Sequence, residues 1–229
     1  MQLKNKTAAI ILAGGSSTRM GGDISKQRLL LGGISVLKRS VLAFENCKDV
    51  FEIIVVVKKD ELDYFKEELS DIKKVKSVTV GGQTRIESAI AGFAEVSDVC
   101  TYVAVHDAAR PLITSEEIST VIYAALEKRA AFAAAPVYDT VKKLDDNGMV
   151  VSTPNRSSLV RATTPQIFER ALYRKALEQS CNAVGATDDC MLLENIGIPS
   201  YAVILQNENP KITTTDDVKY FEYLLNEEK

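Results

Sequence analysis

A run of residues near the start of the chain combines the groups that bind a polyphosphate. The apolar stretch Thr7–Ala13 leads into Gly14 and Gly15, and the cations Arg19 and Lys26 follow. Glycines let the backbone approach a ligand closely, and successive N–H groups in such a turn can form a cradle for anions. The two cations supply full positive charges beside that cradle. We interpret this stretch as a nucleotide triphosphate loop.

The same stretch lacks two common nucleotide signatures. It contains no Gly-x-Gly-x-x-Gly, and no Gly-Lys-Ser or Gly-Lys-Thr follows at the spacing of a Walker loop. A dinucleotide-dependent oxidoreductase is therefore disfavoured. The alternative to phosphate binding is a glycine turn that only connects a strand to a helix.

A candidate metal ligand follows the fourth predicted strand, in His106-Asp107-Ala-Ala-Arg110-Pro. In open α/β sheets ligands bind outside the carboxyl ends of the strands, so Asp107 would face the same crevice as the glycine loop. Magnesium prefers one or two carboxylates plus phosphate oxygens, which makes Asp107 a candidate Mg²⁺ ligand. The alternative is an ion pair between Asp107 and Arg110. For His106, the only histidine, we expect a structural role, because one histidine makes neither a catalytic triad nor a zinc site.

A second glycine pair indicates a place for a nucleotide base. Gly81 and Gly82 end the third predicted strand, and Ser88 lies one turn into the next helix. The glycines permit a flat ring to approach, and a backbone carbonyl here could accept a hydrogen bond from the amino group that cytosine has and uracil lacks. The alternative is a glycine turn in which Thr84 caps the helix.

The elements that position these residues alternate between strand and helix. Apolar runs predict strands at 7–13, 51–57, 75–80, 102–105, 131–137 and 201–205, and helical spacing predicts helices at 35–44, 61–69, 84–94, from 115, 169–179, 189–195 and after 215. This alternation predicts an α/β protein with a mostly parallel sheet and right-handed crossovers.

One segment interrupts the alternation. Thr140–Leu144, the turn Asp145–Gly148 and Met149–Thr153 read as a β-hairpin with half-polar strands. We therefore predict a single domain over residues 1–229 with a projecting β-arm at about 138–160.

Composition excludes several classes of protein. The chain has 229 residues, 46% of them hydrophobic, a net charge of −3 and a pI near 5.4, which argues against a nucleic-acid-binding protein. No apolar stretch reaches the roughly 20 residues that span a bilayer, and no signal-peptide core follows the first residues. The four cysteines are scattered, which favours buried reduced thiols (Cys47, Cys100, Cys181 and Cys190). We expect a cytoplasmic protein that has no membrane or nucleic-acid partner.

Taken together, the motifs resemble one known family. They occur along the chain as Leu12-Ala-Gly-Gly-x-x-Thr-Arg-Met, Lys26-Gln27, Gly81-Gly82-x-x-Arg-x-x-Ser, His106-Asp-Ala-Ala-Arg-Pro, Pro136-Val-x-Asp-Thr140, Thr153-Pro-Asn-Arg156-Ser, Thr164-Pro-Gln166, Thr187-Asp-Asp189 and Lys211-Ile-Thr213. In this order they resemble the 2-C-methyl-D-erythritol 4-phosphate cytidylyltransferases of the non-mevalonate isoprenoid pathway. The resemblance runs from Ala8 to about Tyr223.

The resemblance implies a Rossmann-like nucleotidyltransferase fold with helices on both faces of the sheet, and a homodimer held partly by the arm. It implies transfer of a cytidylyl group from CTP to methylerythritol phosphate, with Mg²⁺, to give 4-diphosphocytidyl-2-C-methyl-D-erythritol and pyrophosphate. Arg19 and Lys26 would stabilise the transition state, and Arg156 and Lys211 would position the acceptor. The nucleotide-binding residues would be Ala13, Gly14, Gly15, Gly81, Gly82 and Ser88. The acceptor site would contain Asp107, which would also bind the metal, with Arg110, Thr140, Arg156, Thr164, Thr187 and Lys211.

Other readings remain open beside this one. A ribitol-5-phosphate cytidylyltransferase would have the same fold, although that branch more often shows His-Asp-Ser-Val-Arg-Pro. A uridylyl- or guanylyltransferase that acts on a sugar phosphate would differ in the later motifs. A non-catalytic nucleotide-binding regulator would be expected to have lost one of four residues, all of which are present: Arg19, Lys26, Asp107 and Lys211. The chain also departs from the family by having Ser25 where proline usually precedes the catalytic lysine, so this loop is expected to be less rigid before nucleotide binds.

Overall fold

The fold is built on one twisted sheet with helices packed against it. We describe it from a computed structural model, which covers residues 5–14, 25–179 and 186–227. Within these residues the strands are β1 (Thr7–Leu12), β2 (Leu30–Leu31), β3 (Ile34–Ser35), β4 (Val50–Val57), β5 (Val75–Val80), β6 (Tyr102–Asp107), β7 (Ala130–Pro136), β8 (Lys143–Leu144), β9 (Val150–Ser152), β10 (Val160–Glu169) and β11 (Tyr201–Ile204). The helices are α1 (Val36–Asn46), α2 (Leu62–Glu68), α3 (Arg85–Ala94), α4 (Ser115–Lys128), α5 (Arg170–Glu178), α6 (Asp189–Glu194) and α7 (Thr215–Glu227).

The main sheet has seven strands in the order β11-β7-β10-β6-β1-β4-β5. Strand β10 runs antiparallel to both of its neighbours, and the other strand pairs are parallel. The predicted mostly parallel sheet is therefore confirmed. Because β1 and β6 are paired with Leu12 opposite Asp107, the glycine loop and the candidate carboxylate leave the sheet side by side.

Side chains of β1 alternate between two apolar cores, one on each face of the sheet. Ala9 and Ile11 pack in a cluster with residues of α1, α2 and α4, whereas Ala8 and Ile10 pack with residues of α3, α5 and α6. All six residues of β1 are buried, as expected for a strand that is covered on both faces. The expected helices on both faces are thus present.

Each predicted helix and strand occurs within a few residues of its predicted position, but the short strands β2 and β3 and one strand of the main sheet were missed. Residues 160–169 were not predicted to form a strand, yet β10 lies in the middle of the sheet between β6 and β7. Its sequence hides it, because Pro165 follows two threonines and proline is unusual inside a central strand. The structure accommodates this stretch with an irregular register between Ala162 and Gln166 in the pairing with β7.

The predicted hairpin is present at the tip of the arm. Strands β8 and β9 pair antiparallel, and the Asp145 carboxylate closes the turn by accepting from the N–H groups of Asn147 and Met149. Every residue from 138 to 158 except Pro154 is exposed. The arm leaves the sheet after Pro136 and returns at Val160, and these two residues are paired with each other.

Among the helices that the structure describes, none has both the length and the apolar character needed to cross a bilayer.

Candidate active site

A cavity of about 260 Å³ opens at the carboxyl edge of the parallel strands. Its described lining residues come from the ends of β1 and β6, the start of α3, the turn at Lys26 and the loop before α7: Leu12, Gly14, Lys26, Gln27, Gln83, Thr84, Arg85, Ser88, Asp107, Ala109 and Lys211. The structure therefore brings Lys26, Ser88, Asp107 and Lys211 into one site, although they lie far apart along the chain.

Ser88 lies close to both Gly14 and Gly81. Its hydroxyl donates to the carbonyl of Thr84 at 3.0 Å. A Cβ added to Gly81 would lie 2.5 Å from the Ser88 Oγ, and one added to Gly14 would lie 3.5 Å from it. A Cβ on Gly82 would overlap the side chain of Glu87, which itself completes the capping box of α3. Any side chain at position 81 would thus displace Ser88 from the cavity wall.

Asp107 is the negative centre of a group of cations. Lys211 Nζ donates to its Oδ2 at 2.7 Å, Arg85 Nε lies 3.4 Å from its Oδ1, and Arg110 Nε lies 4.0 Å from its Oδ2. Burial alone would raise the pKa of Asp107, but the charges of Arg85 and Lys211 outweigh it and hold the pKa well below its usual range. Asp107 is therefore ionised at neutral pH, and the alternative ion pair with Arg110 is only its most distant contact.

Arg85 is the charged cavity residue that was not predicted to belong to the site. Its Nη1 donates to the fully buried carboxylate of Asp189 at 2.6 Å, and the Tyr173 hydroxyl donates to the same carboxylate at 2.6 Å. Burial lowers the pKa of Arg85, but Asp189 and Asp107 outweigh it and raise the pKa above its usual value. Arg85 is present in the motif Gly81-Gly82-x-x-Arg, but the sequence does not show that its partner is a buried carboxylate.

Asp189→Asn tests how strongly this buried pair holds the site together. The substitution keeps the shape of the side chain but leaves Arg85 facing one fewer negative charge, and removing one partner of a buried pair costs about 3 kcal/mol of unfolding free energy. Urea unfolding measures the change. Asp98→Asn is the matched control, because Asp98 pairs with Arg170 from a carboxylate that is 94% exposed and should change stability little. Equal losses of unfolding free energy in the two variants would contradict the larger contribution to stability expected of the Asp189–Arg85 pair.

Lys26 opens a single 3-10 turn that ends at Arg28. Ser25 caps this turn by accepting from the N–H of Gln27 at 3.3 Å, and its φ of −59° is close to the value that proline imposes. The serine that departs from the family pattern thus has a proline-like backbone and adds a cap. Arg28 stacks over the ring of Tyr64 at 4.0 Å and lies 3.4 Å from the buried Glu61 carboxylate, which fixes the turn to α2.

Several predicted residues lie away from the cavity lining. Thr164 is buried, and its hydroxyl contacts the Asp107 N–H and the ring of His106. Arg110 donates to the Asn209 carbonyl at 2.6 Å. Ala13 is buried and donates its N–H to the carbonyl of Val56, so it shapes the loop through the backbone.

The remaining predicted residues are on exposed segments or outside the described ranges. Thr140 and Arg156 are exposed on the arm, where Arg156 Nη1 donates to the Tyr138 carbonyl at 2.8 Å, and neither lines the cavity of its own subunit. Thr187 is exposed just before α6. Gly15 and Arg19 lie outside the residues that the structure describes.

The site fits a metal ion that binds together with phosphates, rather than a protein-only metal centre. In the described part of the chain, no three His, Cys, Asp or Glu side chains come together as metal ligands. Asp107 offers a single carboxylate among Arg85, Arg110 and Lys211, a setting that repels a bare divalent cation. Mg²⁺ commonly binds through one carboxylate plus substrate phosphates, which is the donor set this cavity could complete.

Comparisons with known proteins agree with the geometry. The family model of 2-C-methyl-D-erythritol 4-phosphate cytidylyltransferase (IspD) matches residues 7–227. The protein of that name from Lachnoclostridium phytofermentans is 41% identical over 228 residues, covering 97% of each chain. The one from Alkaliphilus metalliredigens is 35% identical over 234 residues, covering 100% of this chain and 97% of that protein. The crystal structure of 4-diphosphocytidyl-2C-methyl-D-erythritol synthase from Anaerococcus prevotii has a TM-score of 0.88 to this chain, with 30% identity and 97% coverage of both chains. The chain belongs to the 2-C-methyl-D-erythritol 4-phosphate cytidylyltransferase family.

Proposed function

We propose that this chain transfers a cytidylyl group from CTP to 2-C-methyl-D-erythritol 4-phosphate in the synthesis of isoprenoid precursors. The observation that carries the proposal is the convergence of Gly14, Lys26, Asp107 and Lys211 on one cavity at the carboxyl edge of the sheet. A phosphate oxygen of the acceptor attacks the α-phosphorus of CTP, the new P–O bond forms, and the bond to the β-phosphate breaks to release pyrophosphate.

The first requirement of this reaction is to bring two polyanions together. Lys26 and Lys211 line the cavity, and Arg85 and Arg110 lie within 4.0 Å of Asp107. These four cations face the two carboxylates of Asp107 and Asp189, which leaves a net positive site for two phosphorylated substrates. Phosphoryl-type transfer needs little covalent chemistry from the protein, so positioning and charge stabilisation supply most of the rate enhancement.

The residue roles proposed here are those that the family motifs imply, and the positions of the described cavity residues support them. Lys26 would act as a compact positive charge beside the reacting α-phosphate of CTP. Because it offsets the negative charge of the phosphate oxygens, it lowers their repulsion of the acceptor phosphate. Arg19, which lies outside the described residues, would share this role by its place in the family motif. Lys211, whose Nζ lies 2.7 Å from the Asp107 Oδ2, would receive the phosphate of the acceptor. Asp107 would hold Mg²⁺, which when bound neutralises charge on the triphosphate.

The base would lie against Gly81 and Gly82 with Ser88 beside it. A Cβ at position 81 would meet the Ser88 hydroxyl and one at position 82 would meet the Glu87 side chain, so both positions have to be glycine in this turn. Backbone groups in this turn would pair with the amino group of cytosine. A uracil in the same place would leave buried polar groups unpaired.

Pyrophosphate release measured with each nucleotide and each acceptor tests the proposed function. We expect kcat/KM with CTP to exceed that with UTP by about 100-fold or more, because a site built for an amino donor rejects a base without it. We expect methylerythritol phosphate to be used in preference to ribitol 5-phosphate. Equal turnover of CTP and UTP would remove the cytosine assignment, and preference for ribitol 5-phosphate would favour the alternative cytidylyltransferase.

The arm would make the active form a homodimer. It exposes apolar side chains without a covering surface in its own subunit, among them Tyr138, Leu144, Met149, Val150 and Val151. An isolated two-stranded ribbon has too little apolar contact to be stable, so a second copy related by two-fold symmetry is the simplest cover. We place the dimer in the cytoplasm, in keeping with the buried free thiols of Cys47, Cys100 and Cys190.

A further inference from the structure

The only histidine of the chain is fully buried beneath the proposed active site. His106 has 0% exposure, and its ring packs 5.0 Å from the ring of Phe44. Both ring nitrogens nevertheless have polar partners: Nε2 lies 3.2 Å from the carbonyl of Arg110, and Nδ1 lies 3.0 Å from the hydroxyl of Thr164. Because both nitrogens are paired, the position of the imidazole is tied to Arg110 and Thr164.

These contacts belong to a closed ring of four residues. The side-chain Nδ2 of Asn209 donates to the backbone carbonyl of Thr164 at 2.6 Å. The backbone carbonyl of Asn209 accepts from Arg110 Nη1 at 2.6 Å. The contacts of His106 with Arg110 and Thr164 close the cycle. The ring thus ties together three segments that are distant in sequence: the end of β6 with the loop after it, the middle of β10 and the loop before α7.

The Arg110 carbonyl fixes the directions of these hydrogen bonds. A carbonyl oxygen can only accept, so Nε2 of His106 must carry a hydrogen and donate it to the Arg110 carbonyl. Nδ1 of the neutral imidazole is then an acceptor, and the hydroxyl of Thr164, which accepts from the N–H of Asp107 at 3.0 Å, donates its hydrogen to Nδ1. Burial lowers the pKa of His106 to about 4, which keeps the ring in this neutral form at pH 7.

The ring holds the backbone on both sides of the Asp107–Lys211 ion pair. On one side, the hydroxyl of Thr164 binds the backbone N–H of Asp107 itself. On the other side, Asn209 precedes Lys211 by two residues, and the N–H of Ile212 donates to the Ala109 carbonyl at 2.8 Å. A shift of either loop would change the 2.7 Å contact between Lys211 Nζ and the Asp107 carboxylate.

We propose that the ring of His106, Thr164, Asn209 and Arg110 is a positioning device that sets Asp107 and Lys211 in register for the transfer reaction. This inference rests on the proposed function, because it assigns these two residues to the reacting site. His106 and Asn209 act through others, so they are positioning residues rather than catalytic ones.

Asn209 carries a backbone cost that supports this assignment. Its φ is +45°, a left-handed conformation that few residues other than glycine and asparagine adopt readily. Such conformations persist when the surroundings over-determine them. Here the side chain and the carbonyl of Asn209 are each held by a separate member of the ring, which is the constraint that the conformation requires.

Two variants that open the ring at different points test the proposal. Asn209→Gly keeps the left-handed backbone and the carbonyl that binds Arg110, but it removes the donor to Thr164. His106→Leu removes both ring nitrogens and keeps an apolar side chain against Phe44. Arg129→Gly is the matched control, because Arg129 has a φ of +71° on the exposed end of α4, far from the cavity lining.

We expect each ring variant to lower kcat by about 10- to 100-fold, since small displacements of reacting groups carry costs of this size. The KM for CTP should change by no more than about threefold, because the nucleotide contacts at the glycine turns are intact. Assays are run well below the melting temperature of each variant, so that lost stability is separated from lost positioning. Arg129→Gly should retain the kcat of the unaltered protein.

The double variant tests whether the residues act as a unit. If His106 and Asn209 belong to one ring, opening it twice should cost about as much as the worse single substitution, whereas independent residues would show multiplied losses. Multiplied losses would overturn the ring, and a kcat within about twofold of the unaltered protein in both single variants would leave only a structural role.

A spectroscopic measurement tests the ring without any assay of activity. Labelling with ¹⁵N-histidine gives a single imidazole, because the chain contains one histidine. At pH 7 we expect the hydrogen on Nε2 and an unprotonated Nδ1. A hydrogen on Nδ1 would overturn the proposal, since Thr164 could not then donate to it. Failure of the unaltered protein to release pyrophosphate would instead count against the proposed function and leave this measurement unaffected.

Discussion

Lys26→Ala is expected to lower kcat by about 100-fold or more while changing the KM for CTP much less. Lys26 lines the same cavity as Asp107 and Lys211, on a short turn that Ser25 caps and Arg28 anchors. A charge held there in advance costs no reorganisation when the α-phosphorus gains negative charge, so its effect is greatest in the transition state. Steady-state kinetics of pyrophosphate release measure both constants.

Lys38→Ala is the control for this substitution. Lys38 lies on α1 and forms an ion pair with Asp71, whose side chain is 70% exposed, so removing it takes away a lysine without touching the cavity. We expect its kcat to be unchanged. If Lys26→Ala raised only the KM for CTP, Lys26 would contribute to ground-state binding and not to the transition state.

Mixing two inactive proteins is expected to restore activity if the arm serves the partner subunit. One protein carries Lys26→Ala in the body and the other carries Arg156→Ala on the arm. After dissociation and random reassociation, half of the dimers are mixed. Each mixed dimer has one site with both faults and one intact site, so roughly a quarter of all sites should recover. The physical reason is that Arg156 is exposed and does not line the cavity of its own subunit.

A second mixture provides the control. Lys26→Ala and Lys211→Ala both change the body, so every site in their mixed dimers retains one fault and the mixture should stay inactive. Mass spectrometry of the intact assembly establishes that mixed dimers have formed. An inactive mixture of the first pair, with mixed dimers present, would show that the arm completes the site of its own subunit.

The location of the candidate site could be predicted from the sequence because a simple rule applies to parallel sheets. Carboxyl ends of parallel strands meet at one edge of a sheet, so the glycine loop after β1 and Asp107 at the end of β6 had to lie together. The structure confirms this with Leu12 opposite Asp107. The two glycine pairs could also be recognised in the sequence. The structure gives the reason for the glycine at position 81, where a Cβ would clash with Ser88.

The parts that were missed depend on contacts between distant residues. Asn209 reads as an ordinary loop residue, because its importance lies in Thr164 and Arg110, which are 45 and 99 residues away. Arg85 likewise gains its role from Asp189, a carboxylate that packing buries completely. Strand β10 was missed because polar residues and a proline are unusual in a central strand. Its pairing with β6 and β7 nevertheless holds this segment in the sheet.

The pairing of Pro136 with Val160 makes the arm an insertion whose two ends lie next to each other in the sheet. Directly paired residues of antiparallel strands have Cα atoms about 5 Å apart, so the two attachment points of residues 137–159 are held together by the sheet and not by the arm. Lengthening, shortening or exchanging this segment costs only the small change in loop-closure entropy. The arm can therefore change in length or sequence between related chains, or be redesigned, while the edge of the sheet that carries the candidate site keeps its geometry.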